Sequence, residues 1–409
     1  MSKSNDSDSS ELIYEWNTVA DLPPYPLRLN DETLRDGLQS PSVTDPPIAD
    51  KLEILHFMED LGMYSAAIGL PAAGPHAYND VLALAGEIAR AHMTIYPYCA
   101  ARTVESDIVP IVEIQQKTGI RVQAALFIFS SPIRRFTEDW TVDKMLSVSE
   151  RAIEFAHKND VPVMYVTEDT TRSDPDTLRR LYQMAIAHDV ERVCISDTVG
   201  HATPTGARAV VQFVRNLVTE SGKDIGVDWH GHRDRGVAVS NAVAAYFGGA
   251  DRIHGSALGI GERVGNAPID LLMVNFKLLG VLDGDLTQLP AYVQKVSKAC
   301  RVPIPDNYPV VGRDAFRTAT GVHADAIIKA YRRGDSWLAN RVYSGVPADE
   351  FGLEQIIEVG PMSGKSNVRF WLEKHGVDPT DERIEHVFQR AKSTDHILTD
   401  NEIREALRG

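Results

Sequence analysis

Eight short β-rich runs recur along the first 256 residues, and their starts lie 27 to 40 residues apart. They cover 27–34, 65–70, 94–99, 121–127, 161–167, 192–196, 225–230 and 252–256. That spacing is what one strand, one helix and two connections require, and parallel strands need such crossovers. The gaps carry helical periodicity. Residues 48–61 bring Leu52, Leu55, Phe57 and Met58 toward one another, and 142–157 and 175–188 behave likewise. Asp174-Pro175 and Thr203-Pro204 each place a capping side chain ahead of a proline at the first helical position. Eight such units in series predict a (β/α)8 TIM barrel over 25–290. A doubly wound open sheet is the alternative, and the strand count favours the barrel.

The rhythm changes after about residue 290. A proline-containing connector at 302–309 leads into segments that read as helices, 350–358 and 368–375 being the clearer ones, with a polar helical stretch at 381–408. We read 291–409 as a small, mainly helical lid region and 1–24 as a disordered tail, whose Ser/Asp-rich residues 1–11 lack the order of a signal peptide. No run of 18 apolar residues exists to span a bilayer. Lys+Arg 42 against Asp+Glu 57 gives a net charge of −15, which argues against nucleic-acid and anionic-membrane partners. The three cysteines, Cys99, Cys194 and Cys300, lack CxxC spacing. They exclude a disulfide framework and a thiolate zinc site, and fit a reducing cytoplasm.

In a barrel, functional groups collect at the C-terminal ends of the strands. The stretch Thr33 to Gln39 follows strand one, Glu168 and Asp169 end strand five, and Asp197 to His201 follow strand six. Strand seven ends in His230-Gly231-His232-Arg233-Asp234, and strand eight leads into Gly259 to Asn266. Spaced i, i+2 on an extended chain, His230 and His232 aim at one face. Strands one, seven and eight lie side by side in a closed barrel, so Asp36 is the natural third ligand for a divalent cation with open positions. Mn²⁺, Mg²⁺, Co²⁺ and Zn²⁺ all suit such donors. The plainer reading is a chance His pair on a loop. Beside a metal, Arg35 would polarise a carbonyl and stabilise an alkoxide; its plainer reading is a structural ion pair. The glycine-rich stretch after strand eight would cradle a phosphate, or serve ordinary turns.

Four separated motifs resemble the acyl-CoA-condensing enzymes typified by 2-isopropylmalate synthase. They are Thr33-Leu34-Arg35-Asp36-Gly37, the His-x-His pair, Asp197-Thr198-Val199-Gly200 with Ala202-Thr203-Pro204, and Gly261-Glu262-Arg263-Val264-Gly265-Asn266. Homocitrate and citramalate synthases are relatives, and HMG-CoA lyase is a more distant one. The likeness runs from about residue 27 to 372, because Gly321-Val322-His323-Ala324-Asp325 and Met362-Ser363-Gly364-Lys365 look like lid segments of the synthases.

The resemblance implies a cytoplasmic acyltransferase with acetyl-CoA as cosubstrate and a divalent metal held by Asp36, His230 and His232, with Asn266 as a further ligand or neighbour. A Claisen-type condensation would join the acetyl group to a 2-oxo acid. Arg35 would stabilise the oxyanion, Thr198 would bind the substrate carboxylate, and Glu168 would sit near the substrate. Gln39, Ala125, Val166 and Arg233 would be further substrate contacts. His323 and Tyr343 would come from the lid of the partner in a homodimer. The chain ends soon after the lid, so inhibition through a leucine-sensing domain is not expected.

Departures from the family pattern bear on substrate choice. Leu38 stands where the synthases usually have Glu, and Arg-Asp-Gly-Leu-Gln is the lyase's spelling. Ala67 occupies a position that is often Glu. Ala125, Val166, Cys194 and Ser196 replace the His, Ser, Asn and Pro of isopropylmalate synthases, which speaks against 2-oxoisovalerate. Arg233 and Arg134-Arg135 suggest a second anionic group on the keto acid; alternatively they are solvated charges or CoA-phosphate contacts. A lyase is the alternative function, but no Cys falls between Cys194 and Cys300, where the lyase carries a catalytic one.

Overall fold

The computed structural model describes residues 12–17 and 22–408, so most of the expected tail at 1–24 lies outside the described residues. The strands are β1 (Arg28–Asp31), β2 (Ser65–Gly69), β3 (Tyr96–Arg102), β4 (Gln123–Phe129), β5 (Val163–Glu168), β6 (Arg192–Asp197), β7 (Gly226–Gly231) and β8 (Arg252–Gly255). They pair in parallel and in chain order, and β1 closes on β8 with Arg28 opposite Arg252 and Asp31 opposite Gly255. This is the (β/α)8 barrel, not the open sheet.

Ten helices carry the chain through the barrel: α1 (Ile48–Asp60), α2 (Pro75–Ala91), α3 (Glu105–Thr118), α4 (Pro132–Glu138), α5 (Val142–Lys158), α6 (Pro175–Ala187), α7 (Pro204–Ser221), α8 (Ala238–Gly248), α9 (Ile269–Leu278) and α10 (Leu289–Cys300). The two caps read from the sequence are present. Asp174 Oδ1 accepts from the Thr177 amide at 2.9 Å, and Thr203 Oγ1 accepts from the Gly206 amide at 3.3 Å. Leu289, Tyr292, Val293, Val296 and Cys300 of α10 join the barrel's own hydrophobic core, so that core continues past residue 290.

Strand alternation separates two interiors. Val227 and Trp229 of β7, like Leu126 of β4 and Ile195 of β6, pack outward among the helices. Inside the barrel the fill is lopsided. Ala67, Tyr98, Ala125, Met164, Val166 and Cys194, from β2 to β6, form one apolar cluster. Facing it, β6, β7, β8 and β1 contribute the charged or polar side chains Arg192, Asp228, Arg252, His254 and Asn30, all buried.

The region after the barrel contains α11 (Gly321–Arg332), α12 (Ser336–Arg341), α13 (Lys365–Lys374), α14 (Asp381–Lys392) and α15 (Asp400–Ala406). It has two small cores of its own, one around Ile327, Ile328 and Ile357 and one around Trp371, Leu372, Val387 and Ile403. The helix expected over 350–358 is absent. A 3-10 turn at Ala348–Phe351 is closed by Gly352 at φ 68°, and β10 (Ile356–Ile357) then pairs with β9 (Arg317–Thr318). The left-handed glycine stops the helix and the β-branched pair favours strand. Among the described residues no helix is long and apolar enough to cross a membrane.

Candidate active site

After β1 the chain folds back on itself. The Glu32 carbonyl accepts from the amides of Arg35 (3.1 Å) and Gly37 (3.0 Å), while the Thr33 amide donates to Asp31 Oδ1 (2.8 Å). This turn ends the strand three residues short of the expected Leu34 and carries Arg35 and Asp36 to the barrel mouth. On β7, Trp229 packs into the outer core while His230 points inward, and His232 follows on the same face just past the strand. His232 bridges Asn266 in antiparallel fashion, and its amide donates to the Asp197 carbonyl at 3.2 Å.

These residues converge. Asp36 Oδ2 lies 3.2 Å from His230 Nε2 and 3.5 Å from His232 Nε2, and the two Nε2 atoms are 3.3 Å apart. Asp36 Oδ1, His232 Nδ1 and Asn266 Oδ1 are buried without a hydrogen-bond partner. Buried polar atoms are rarely left so, and an Asp-His-His set of N/O donors suits a divalent cation. The residues therefore fit such an ion. Asn266 commits its Nδ2 to the Ile260 carbonyl at 3.1 Å, which turns Oδ1 to other use.

Charge is organised around this point. Burial alone would raise the Asp36 carboxyl, but Arg35 and the two histidines hold it well below the usual carboxylate range. Burial, then the neighbouring His230, pushes His232 down to about 4, so its imidazole is neutral near pH 7 and able to ligate.

Arg35 donates from Nε (3.0 Å) and Nη2 (2.6 Å) to Glu32 Oε2, with Nη2 3.6 Å from Asp36 Oδ2. The other Glu32 oxygen takes the Tyr98 hydroxyl and His254 Nδ1, the latter at 2.9 Å. His254 Nε2 reaches Asp228 Oδ2 at 2.8 Å, and Asp228 is bound in turn by Arg192 and Arg252. Burial opposes ionisation of Glu32, but Arg35, His254 and His230 outweigh it and keep the carboxylate charged. Sequence reading missed Glu32, Tyr98, His254 and Asp228. For Asp228 and His254 a signal existed, polar residues two apart around an apolar one: Asp228 and His230 about Trp229, Arg252 and His254 about Ile253. Glu32, by contrast, follows the charged Asp31, and Tyr98 has no such partner.

One cavity of about 270 Å³ opens onto this cluster. Of the candidates read from the sequence, Arg35, Asp36, Gln39, Ala125, Val166, Glu168, Thr198, His230 and His232 line it. Thr198 Oγ1 accepts from the Asp169 amide at 2.8 Å, which fixes its rotamer at the edge of the cavity. Burial, then Arg134 in opposition and Glu262 and Asp169 in support, leaves the Glu168 carboxyl above its ordinary value.

Arg233 is not among the lining residues. Its amide donates to the Gly265 carbonyl and its Nε to the Val264 carbonyl (2.5 Å), so it ties down the loop after β8 instead of facing a substrate. That loop's glycines serve close backbone approach, since a Cβ on Gly265 (φ 99°) would overlap the Gly259 carbonyl oxygen. His323 and Tyr343 also stay out of the chain's own cavity. They stack on each other at 3.9 Å in the C-terminal region, beside the exposed Val322.

A model of the HMGL-like family matches residues 26–296. Homocitrate synthase AksA of Methanopyrus kandleri is 30% identical over 404 residues, covering 98% of this chain and 96% of that protein. (R)-citramalate synthase CimA of Methanocaldococcus jannaschii is 28% identical over 90% of this chain and 70% of its own length. The crystal structure of an HMG-CoA lyase from Bacillus subtilis superposes with a TM-score of 0.57 at 19% identity, over 70% of this chain and 97% of that one, a likeness of fold. Family model, relatives and barrel agree, and the chain belongs to the HMGL-like family.

Proposed function

We propose that the protein is a divalent-metal-dependent acyltransferase that condenses acetyl-CoA with a 2-oxo acid, giving a 2-alkylmalate-type product and CoA. The observation that carries this reading is the Asp36–His230–His232 cluster with Arg35 beside it in one cavity at the barrel mouth. The similarity to homocitrate and citramalate synthases over nearly the whole chain supports it.

When bound by Asp36, His230 and His232, with Asn266 as a further ligand or neighbour, a divalent cation supplies Lewis-acid polarisation of a carbonyl. Arg35, held rigidly by Glu32, places a guanidinium where negative charge develops on the ketone oxygen as the new carbon–carbon bond forms. Thr198 and Gln39 offer polar groups to the substrate carboxylate. Glu168 faces the same space with a raised proton affinity, which suits a group that takes and returns a proton. Hydrolysis of the thioester then releases CoA. His323 and Tyr343 would complete the site from the lid of a second copy, in a homodimer.

The test is thiol release from acetyl-CoA over a panel of 2-oxo acids with Mn²⁺, Mg²⁺, Co²⁺ or Zn²⁺. Release that depends on a 2-oxo acid is expected. Cleavage only of a hydroxyacyl-CoA would establish the lyase instead.

A further inference from the structure

We infer that the 2-oxo acid taken by this site carries an uncharged, apolar side chain of alkyl or thioether type, recognised by the wall of β3 to β5 and Cys194 of β6. The inference rests on the condensation reading for the identity of the substrate's reacting end. It goes beyond that reading in assigning the other end.

The barrel's closed order sets the geometry. Asp36 follows β1 and the histidines lie on and just past β7, so β3, β4 and β5 stand across the cavity from them. A keto acid whose carboxylate and ketone engage the Asp36–His230–His232 end must direct its side chain toward that far wall. The wall is made of Ala100, Ala125, Phe127, Met164, Val166 and Cys194. None carries a charge there. Burial raises the Cys194 thiol well above its ordinary value, so it too behaves as a small apolar surface.

A second anionic group on the substrate would find no unpaired arginine or lysine in the lining. Among the arginines that line the cavity only Arg35 appears, and Glu32 and Asp36 already hold it. The cations that suggested an anionic substrate are engaged elsewhere. Arg233 donates to the Val264 carbonyl and Arg135 pairs with Asp174 at 2.9 Å. Arg134 pairs with Glu138 at 3.2 Å outside the lining, and its charge is set against the cavity's own Glu168. The remaining charged groups toward the opening, Glu168 and Glu262, are acidic. An unpaired carboxylate or phosphonate there is disfavoured both by desolvation and by repulsion. The shortness of Ala100, Ala125, Val166 and Cys194 leaves room for a side chain longer than methyl.

The test measures binding and turnover separately, with the Mn²⁺-loaded protein. Calorimetry and thiol release are run on 2-oxo acids with methyl, isopropyl, isobutyl and methylthioethyl side chains, and on 2-oxoglutarate and oxaloacetate. The expected result is that the best apolar acid binds, and turns over, at least about 100-fold better than either dicarboxylate. Ala125→Phe should cost isobutyl and methylthioethyl acids at least about tenfold while sparing the methyl one, and Val166→Phe provides a second variant if the first misfolds. A dicarboxylate within about tenfold of the best apolar acid overturns the inference. Apolar acids that bind in this order without any CoA release would overturn the condensation reading and uphold the assignment of the wall.

Discussion

Glu32 holds Arg35 through one carboxylate oxygen, which accepts from Nε at 3.0 Å and from Nη2 at 2.6 Å. Both side chains are largely withdrawn from solvent, and the other oxygen of Glu32 is taken by Tyr98 and His254. Glu32 therefore sets the direction in which Arg35 points without itself needing to touch a substrate. Glu32→Gln keeps the shape and removes the charge. It should lower kcat by about 10- to 100-fold, in the manner of groups that orient a metal-site neighbour, with the KM for acetyl-CoA little changed. Steady-state kinetics on a variant with wild-type circular dichroism decides; a fall of less than about threefold would remove Glu32 from this role.

Bound metal should depend on Asp36 and His232 individually. Each leaves a buried polar atom without a partner, and together with His230 they offer the cluster's ligand atoms. Asp36→Ala and His232→Ala should each reduce metal retained after dialysis from Mn²⁺ by at least about tenfold. Arg35→Ala should leave metal content intact and lower turnover steeply. Elemental analysis of the dialysed variants separates the two roles, and undiminished metal in His232→Ala would be incompatible with the site.

What the chain discloses before folding follows from the range of the interactions involved. Strands and helices come from local periodicity, and the His230/His232 pair is legible because strand geometry fixes i, i+2 residues to one face. Glu32 and His254 were not legible. They matter only because β1 and β8 close against each other, with Asn30 opposite His254, a pairing 224 residues apart in the chain. Arg233 failed in the opposite way. Adjacent to His232 in sequence, it reads as part of the same site, yet neighbouring residues on an extended segment point to opposite sides. Its guanidinium lies in the β8 loop.

Gly265 should prove intolerant of any side chain. At φ 99° it lets its backbone lie against the Gly259 carbonyl, and the next residue's amide donates to that same carbonyl at 3.0 Å. Gly265→Ala must push the strands of this loop apart, carrying Asn266 away from His232. We expect a stability loss on the order of 1–3 kcal/mol and an accompanying loss of metal affinity. Urea denaturation and metal titration of the variant check both, and a wild-type result in each would show that the loop relaxes freely.

Asp270 makes stability depend on pH with a definite sign. Burial pushes its carboxyl up to about 6, although Tyr308 and the Leu258 amide, at 2.8 Å and 2.7 Å, donate to it. The folded value exceeds the unfolded one of about 4, so the folded state binds the proton more readily between them. The resulting stabilisation is complete below about pH 4 and is lost as pH rises through about 6, a change of about 3 kcal/mol. Asp31, also raised to about 6 by burial, acts in the same direction. Asp270→Asn has no such titration and keeps an acceptor for the Leu258 amide. Its stability should therefore fall less than the wild type's between about pH 4 and about pH 8, by about 3 kcal/mol in urea unfolding. Parallel curves for the two proteins would mean that Asp270 ionises normally.

His323 and Tyr343 supply the last test, because they stack together outside the cavity of their own barrel, with Tyr343 48% exposed and Val322 77% exposed. If they serve the site of a second copy, one complete site needs the barrel of one protomer and the lid of the other. A protomer carrying Asp36→Ala then has a dead barrel and an intact lid, and one carrying His323→Ala has the reverse. Neither variant alone should turn over. In a mixed dimer, the intact barrel meets the intact lid once, while the second site combines both defects. Random pairing makes half the dimers mixed, so co-expression should restore about one quarter of wild-type activity. Action of the lid on its own barrel puts one defect in every site of the mixture, and no activity returns.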